Sequence, residues 1–453
     1  GMAPRLREVA ALPASADGSA AWCCAWDAAG RRVLTCGADR CVRVWALVGG
    51  VWECVGEVDA VAARTVRRVA LSPCGRRFAA AAFDGTVVVY EEQGAGGEWV
   101  QRAVLEGHES EVKAVAWGAG GELLATCGRD RTVWVWAAEE DNEFDCAAVL
   151  SGHAADVKCV AWHPTEPVLL SASYDNTVRV WADEMNEDDW HCTQTLGVAE
   201  ASDGTPGASV VASPDGGGAG ELPGGHSSTV WGLAFDTAGA RLVTCGADRH
   251  VALWWRAGSS DGAHSGWTLA TAAPDVHQGP VYTVDWQRAD DIEASGLVAT
   301  GGGDDAICLL RCGGGCSRGV CDDAADAMSG EAMGEGPTAA GADGSEGSGE
   351  VGTAGGRVGI AGWLGTAFGR SKGSKRQRPQ DRPSHDGQVH QARGQRERPA
   401  FLEVVHRTER AHAADVNCVA WRPAAGAGSA GSDVALASVG DDGVLRLWAL
   451  EEC

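Results

Sequence analysis

Histidine, aspartate and a serine or threonine, the residue types of a nucleophilic triad, recur at fixed spacing along this chain. In one copy His108 precedes Thr126 and Asp130, and Trp136 closes the segment. The same order returns in three further copies: His153, Ser171, Asp175 and Trp181; His226, Thr244, Asp248 and Trp254; and His412, Ser438, Asp442 and Trp448. Because catalysis needs one such site rather than four, the repetition favours a structural role, and we predict no catalytic residues.

Cysteines are the second candidate for chemistry, since the chain has 17 of them. Two groups recur at equivalent repeat positions, which indicates buried thiols that act as small apolar side chains: Cys36, Cys127 and Cys245, and Cys159 and Cys418. A third group is clustered, and its last three members are expected in a flexible loop: Cys308, Cys312, Cys316 and Cys321. A metal site would need preorganised thiolates. The group contains no CxxC pair, so we predict no metal and no cofactor.

Composition limits the class of protein. The 453 residues are 45% apolar, and abundant glycine with 19 tryptophans favours many short strands over helices. A formal net charge of −25 disfavours direct contact with nucleic acid or anionic membranes. There is no apolar run of about 18 residues and no apolar core of a secretory signal in residues 1–20. We therefore expect a cytoplasmic protein with reduced thiols.

An internal repeat organises the chain. The stretch "TCGRDRTVWVW" (126–136) has six relatives, and each carries an aspartate six residues before a large closing residue. The seven aspartates are Asp39, Asp84, Asp130, Asp175, Asp248, Asp304 and Asp442. The copies end at Trp45, Tyr90, Trp136, Trp181, Trp254, Leu310 and Trp448, at intervals of 45, 46 and 45 residues before longer segments interrupt the period.

Two further segments complete each repeat. An alternating run follows a Gly-His or Ala-His pair, as in "GHESEVKAVAW" (107–117) and "AHAADVNCVAW" (411–421). Short apolar segments such as "WVQRAVL" (99–105) lie before these pairs. Alternation of this kind is typical of half-buried strands, so each repeat of about 45 residues predicts four strands.

This pattern resembles the WD40 family, which implies an all-β, seven-bladed propeller with one four-stranded blade per repeat. In that family the histidine, serine or threonine, aspartate and tryptophan form a hydrogen-bond chain within a blade. Blades one and two lack the histidine, and blades two and six lack the tryptophan, so packing should hold them. The segment "RLREVAALP" (5–13) should supply the outer strand of blade seven and close the ring. One propeller should therefore occupy residues 1–453.

Three segments break the repeat. Residues 197–225 should lie on the face of the aspartate turns, and residues 313–400, within blade six, and 424–433 on the opposite face. Their low-complexity composition predicts disorder. Within the largest, "KGSKRQR" (372–378) is either a nuclear-import or anion-binding segment or simply a solvated loop, and "GWLGTAFG" (362–369) could dock a partner.

Several longer strings narrow the resemblance to the WD40 subunit of the cytosolic iron–sulfur protein assembly machinery. They include "LEGHESEVKAVAW", "DVKCVAWHPTEPVLLSASYDNTV", "EDDWHCTQTL" and "GGHSSTVWGLAFD". The resemblance implies a non-catalytic scaffold without a resident cofactor. Its implied partners are a small iron–sulfur targeting protein, a HEAT-repeat adaptor, an iron-only-hydrogenase-like iron–sulfur carrier and apo client proteins such as DNA polymerases and helicases. Clients of this kind extend the expected location to the nucleus.

Two rings of residues should surround the channel mouth of such a propeller. One is the residue before each turn aspartate, and the other lies near the start of each inner strand. The basic members fall together on blades two to four, and aromatic members surround them: Arg129, Arg67, Lys113 and Lys158, with Phe83, Tyr174, Trp22, Trp231 and Tyr282. Arginine and aromatic side chains are enriched in binding hot spots, and arginine pairs with carboxylates. We interpret these residues as a site for an acidic, aromatic peptide tail or C-terminal carboxylate; alternatively, they merely cover the channel.

Two other functions stay open at this point. A generic WD40 adaptor for a chromatin or ubiquitin-ligase complex would share the fold, although the longer strings favour iron–sulfur assembly. An enzyme is disfavoured because the chain has no nucleophile motif or phosphate-binding loop.

Overall fold

Short strands and tight turns make up the part of the chain that the structure describes. The computed structural model describes residues 3–94, 98–138, 143–183, 189–197, 225–256, 266–287, 296–313, 400–423 and 433–452. These residues contain 28 β-strands arranged in seven four-stranded antiparallel sheets. The all-β prediction is confirmed, and each sheet corresponds to one sequence repeat.

Each sheet is a blade whose strands follow one another from the channel outward. Blade one contains β2 (Ala21–Trp26), β3 (Arg32–Gly37), β4 (Val42–Val48) and β5 (Val51–Val58). Blade two contains β6 (Val66–Leu71), β7 (Arg77–Ala82), β8 (Val87–Gln93) and β9 (Glu98–Leu105). Blade three contains β10 (Val112–Trp117), β11 (Leu123–Gly128), β12 (Thr132–Ala138) and β13 (Phe144–Ser151). Blade four contains β14 (Val157–Trp162), β15 (Val168–Ser173), β16 (Val178–Asp183) and β17 (Trp190–Leu196). Blade five contains β18 (Val230–Phe235), β19 (Arg241–Gly246), β20 (Val251–Arg256) and β21 (Trp267–Ala273). Blade six contains β22 (Val281–Trp286), β23 (Leu297–Gly302), β24 (Ile307–Gly313) and β25 (Phe401–Thr408).

Blade seven joins the two ends of the chain. Strands β26 (Val416–Trp421), β27 (Val434–Gly440) and β28 (Val444–Glu452) form its inner part, and β1 (Pro4–Pro13) pairs antiparallel with β28. Each inner strand contacts the inner strand of the next blade, and β26 contacts β2. The prediction of a seven-bladed propeller closed by an N-terminal strand is therefore confirmed.

A buried hydrogen-bond chain in blade three connects strands β11 and β12 to the loop before β10. The Nδ1 atom of His108 lies 2.7 Å from Oδ2 of Asp130, and its Nε2 atom lies 2.8 Å from Oγ1 of Thr126. The indole N–H of Trp136 donates to the same Thr126 oxygen over 3.0 Å. The Asp130 carboxylate also accepts the backbone N–H groups of Glu109 and Thr132, which fixes the turn between β11 and β12.

The equivalent residues of blades four, five and seven make the same contacts, from histidine to aspartate, from histidine to serine or threonine, and from tryptophan to serine or threonine. Blade six has a related chain that was not predicted from the sequence. There His277 lies 2.8 Å from Asp304 and 2.8 Å from Thr300, and Leu310 stands where other blades have tryptophan. The missed signal is that His277 precedes Val281 by four residues, the same spacing as His108 to Val112.

The two blades without the histidine use different contacts. In blade one the guanidinium of Arg43 pairs with Asp39, and Trp45 donates to Thr35 over 2.9 Å. In blade two the rings of Phe78 and Tyr90 stack with centroids 5.0 Å apart. Blade two thus relies on apolar packing, in which aromatic pairs stabilise beyond their buried area.

One prediction about the cysteines is wrong. Cys312 lies in strand β24 rather than in a loop, is fully buried, and directs its Sγ atom to the carbonyl of Gly296. The strand extends that far because Cys312 pairs with Leu402 of β25. Cys308 is also buried in β24, whereas Cys316 and Cys321 lie outside the described residues. The described residues contain no group of three or more histidine, cysteine or acidic side chains placed to hold a metal ion.

The three long segments fall almost entirely outside the described residues, so the prediction of disorder and the two short motifs within them stay untested. In the chain they lie between β17 and β18, between β24 and β25, and between β26 and β27. Within the described residues, no helix is long and apolar enough to cross a membrane.

We predict unequal effects of the same substitution in two blades. Thr126→Val leaves two buried polar groups, on His108 and Trp136, without their partner and should lower the free energy of unfolding by about 2–4 kcal/mol. Thr35→Val, the matched control, leaves only the Trp45 indole and should cost about 1–2 kcal/mol. Urea unfolding followed by circular dichroism measures both values. Equal losses would contradict a role for the histidine in the blade-three chain.

Candidate functional site

A β-bulge at the second residue of every inner strand builds the channel mouth. In β10 the register passes from Val112 to Ala114, so that Lys113 is left out of the ladder. The same irregularity occurs in the other six inner strands. The bulged residues are Trp22, Arg67, Lys113, Lys158, Trp231, Tyr282 and Asn417. Because a bulge redirects a side chain out of the sheet, these residues can point to the rim.

A second set of residues is tied to the same rim by backbone hydrogen bonds. The N–H of Arg129, just before the turn aspartate, donates to the carbonyl of Glu111, just before β10. The N–H of Tyr174 donates in the same way to Asp156. Equivalent bonds occur in all seven blades: from Ala38, Phe83, Arg129, Tyr174, Ala247, Gly303 and Asp441. The two rings expected from the sequence therefore lie side by side.

Lys158 is the centre of an aromatic cluster on this rim. Its Nζ atom lies 3.8 Å from the ring centroid of Tyr174 and 4.6 Å from that of Trp231. The Trp231 ring meets Tyr174 and Tyr282 edge to face, with centroids 5.6 Å and 5.2 Å apart. Cations are attracted to the faces of such rings, so the cluster orients the ammonium group.

Two more cations contact aromatic rings in the neighbouring blades. The Nζ atom of Lys113 lies 4.5 Å from the ring centroid of Phe83. The guanidinium of Arg67 lies 4.9 Å from the Trp22 ring, and its Nη1 atom donates to the Trp22 carbonyl. The basic and aromatic residues singled out in the sequence are thus brought together in blades one to six.

Arg129 stands at the outer side of this sector and is held by a carboxylate. Its Nη1 atom lies 3.3 Å and 3.2 Å from the two Glu111 oxygens, and the same carboxylate lies 3.6 Å from Arg64. Although burial raises the pKa of Glu111, hydrogen bonds from Ser110 and Arg129 lower it to about 2. The Arg129 side chain is 59% exposed, so its remaining N–H groups can face a ligand. Arg64 and Glu111 were not predicted: Arg64 lies in a loop without a repeat pattern, and Glu111 lies in the repeated segment 107–117 but outside the two ring positions.

The opposite side of the rim is acidic. The Asn417 amide donates to Asp441 over 2.7 Å. Burial and the neighbouring charge of Asp441 raise the pKa of Asp415. The channel mouth therefore has a basic, aromatic side on blades two to four and an acidic side on blade seven, which can orient a bound chain.

The charges of the basic side repel one another. Burial, followed by the positive charges of Lys113 and Arg67, lowers the pKa of Lys158 to about 7. Burial also lowers the pKa of Lys113 and of Arg67. Only four residues of the whole chain are lysines, and two of them stand here. The basic side thus gathers two lysines and Arg67 on a chain whose formal net charge is −25.

The family description "WD domain, G-beta repeat" matches residues 8–46, 52–91, 99–137, 144–182, 221–254 and 404–449 of this chain. These six ranges cover about half of the residues. They correspond to blades one to five and to blade seven.

Curated proteins similar to this chain share one description. A Caenorhabditis elegans protein named "Probable cytosolic iron-sulfur protein assembly protein CIAO1 homolog" is 40% identical over 304 residues, which cover 65% of this chain and 80% of that protein. A "Probable cytosolic iron-sulfur protein assembly protein 1" of Vanderwaltozyma polyspora is 40% identical over 267 residues, 55% of this chain and 67% of that protein. A "Probable cytosolic Fe-S cluster assembly factor" of Schizosaccharomyces pombe is 38% identical over 304 residues, 63% of this chain but only 44% of that longer protein.

Lys158 should titrate near neutral pH. With the lysines labelled by reductive methylation with ¹³C-formaldehyde, its NMR signal should move with a midpoint of about 7. The variant Lys158→Met assigns the signal by its disappearance. A midpoint near the ordinary lysine value of about 10.4 would show that the ammonium is neither buried nor repelled by its neighbours.

Proposed function

The chain belongs to the WD40-repeat family of cytosolic iron–sulfur protein assembly proteins, and we propose that it is a non-catalytic scaffold for iron–sulfur cluster insertion. In this proposal it docks partners and clients while clusters are transferred into cytosolic and nuclear apoproteins. The observation that carries it is the 40% identity along 80% of the nematode assembly protein. The propeller supplies a rigid, closed platform with several exposed faces, as a scaffold requires.

The proposed partners are a small iron–sulfur targeting protein, a HEAT-repeat adaptor, an iron-only-hydrogenase-like cluster carrier and apo client proteins. The protein would work in the cytoplasm and the nucleus. In this proposal the cluster is cargo that the partners carry, and no residue of this chain binds it. The burial of Cys308 and Cys312 in β24 supports this, because burial raises the pKa of each thiol to about 11 and keeps it protonated.

The basic, aromatic side of the channel mouth is our proposed docking site for a peptide tail of a client or adaptor. The exposed guanidinium of Arg129 would pair with an acidic side chain or a terminal carboxylate. The rings of Tyr174, Trp231 and Phe83 would pack against an aromatic residue of the tail. Tyr174 supports this role, since the residue is 39% exposed and its ring stands beside the cation Lys158.

Affinity purification of the tagged protein from its own cells, followed by mass spectrometry, tests the scaffold. We expect the targeting protein, the HEAT-repeat adaptor and iron–sulfur enzymes to be recovered. Recovery of chromatin or ubiquitin-ligase subunits in their place would overturn the proposal in favour of a generic WD40 adaptor.

Reversing one charge tests the docking site. Arg129→Glu should abolish client binding, because it replaces the partner of a carboxylate with a second negative charge. The thermal midpoint should change little, since Arg129 is exposed and an exposed ion pair such as the one with Glu111 is worth only about 0–1 kcal/mol. Arg249→Glu is the matched control: Arg249 is 48% exposed and follows the equivalent aspartate turn of blade five. Normal client binding by Arg129→Glu would rule out the site.

A further inference from the structure

Four cations at and below the channel mouth have no acidic partner. Among the described residues, no carboxylate oxygen lies within 4.0 Å of Arg67, Arg68, Lys113 or Lys158. The other basic side chains of this sector are paired, since Arg64 and Arg129 share Glu111. An unpaired, partly buried charge is costly, and four together on so acidic a protein call for a ligand.

Arg68 lies on an inner strand beside these rim cations. It is the residue after the bulged Arg67 in β6 and pairs in register with Ala81 of β7. Cys23, Cys159 and Cys418 hold the equivalent position, directly after the bulge, in blades one, four and seven. The inner strands of neighbouring blades contact one another around the axial channel, so Arg68 lies on the strand of blade two that is nearest the axis. The described residues provide it with no hydrogen-bond acceptor.

The four cations act on one another as a set. The positive charges of Lys113 and Arg67 disfavour the charged form of Lys158, and the charge of Arg68 disfavours that of Arg67. Two carboxylates contribute favourably from farther away: Asp156 acts on both lysines, and Glu111 acts on Lys113. Neither reaches salt-bridge distance of these cations, and the Glu111 carboxylate is already held by two arginines.

Hydrogen-bond donors at the rim also lack partners. The indole N–H groups of Trp22 and Trp231 are buried and make no hydrogen bond within the described residues. Each ring stands beside one of the unpaired cations, Arg67 or Lys158. These rings therefore hold the two cations in position, whereas their indole N–H groups are closed off from solvent and from a ligand in the channel.

We propose that the channel mouth binds a small, doubly charged oxyanion of the phosphate type through Arg67, Arg68, Lys113 and Lys158. Such an ion is compact enough for a channel and offers several acceptor oxygens. Guanidinium and ammonium groups are the donors that proteins use for it. The site is distinct from the outer Arg129–Glu111 pair, and the inference does not depend on the identity of the assembly partners.

The experiment is calorimetric titration of the full chain with sodium phosphate and, separately, sodium sulfate at constant ionic strength, with chloride as the reference. We expect saturable binding of both divalent ions. Arg68→Met and Lys158→Met should each weaken it at least ~10-fold, since a charge-assisted hydrogen bond contributes about 1.5–3 kcal/mol. Arg249→Met, on the same face but outside the sector, should bind as the wild type does.

Two outcomes would overturn the proposal. One is a heat of binding that does not saturate, or a titration curve with phosphate or sulfate that matches the curve with chloride. Either result would mean that the ions only screen the surface charge. The other is binding that survives both Arg68→Met and Lys158→Met but is lost in Arg129→Met, which would place the ion at the outer pair. Because the titration contains no peptide or partner, neither outcome bears on the scaffold function.

The pH dependence gives a second test that uses sulfate, whose charge is constant above neutral pH. Bound sulfate favours the charged form of Lys158, so binding takes up a proton when the free ammonium has a pKa of about 7. Affinity should therefore fall about tenfold between pH 7 and pH 8.5. The titratable groups that face Lys158 are Lys113, Asp156, Cys127 and Tyr174, with Arg67 as a fixed charge. Lys158→Arg should bind sulfate with a flat profile, and an unchanged slope in that variant would contradict the role of Lys158.

Discussion

Closure of the ring by residues from the two ends of the described chain is the constraint on which the rest of this structure depends. Strand β1 pairs with β28 from Pro4 and Glu452 to Pro13 and Val444. Without it, blade seven would lack its outer strand and expose the edge of β28. A closed ring also fixes the distance between every pair of inner strands, because none of the seven can move outward alone. The channel mouth is therefore a rigid surface, although its residues come from all parts of the sequence.

The same local structure, a β-bulge beside an aspartate turn, forms this surface in all seven blades. A bulge at the second position of each inner strand frees one side chain, and a backbone hydrogen bond ties the aspartate turn beside it. The buried chain from histidine to tryptophan holds that turn in place, so structural and candidate binding residues are neighbours. This arrangement lets the rim vary in chemistry, from Lys158 to Asn417, while the scaffold beneath it stays the same.

Electrostatics separate the rim into parts with different properties. Arg129 and Arg64 are held by Glu111 at the outer side, whereas Arg67, Lys113 and Lys158 stand over aromatic rings. A cation over an aromatic ring stays available to an anion, because the ring does not neutralise its charge. The inner cations are thus held in position by the rings but keep their positive charge for an anion. Such preorganisation lowers the entropic cost of binding.

The sequence determined by itself what is local and repeated. The period of about 45 residues, the alternation within strands and the aspartate turns predicted seven repeats of four strands, because each depends on residues close in the chain or on a pattern that recurs. The resemblance of these repeats to the WD40 family then implied the propeller, the closing strand and the hydrogen-bond chains. The same periodicity placed Lys113 and Lys158 on one rim. It missed His277, since Val276 replaces the usual glycine or alanine before it, and it assigned Cys312 to a loop, since the strand there has no repeat signal at its end.

Only the tertiary structure decided which side chains meet across the channel and which charges stay unpaired. Glu111 joins Arg64 to Arg129, and Lys158 lies over the ring of Trp231 in the next blade, although no repeat pattern predicts these pairs. Alternation fixes the face of a sheet on which a side chain lies. Which residues of other blades lie close to that side chain depends instead on closure of the ring, because closure sets the diameter of the channel.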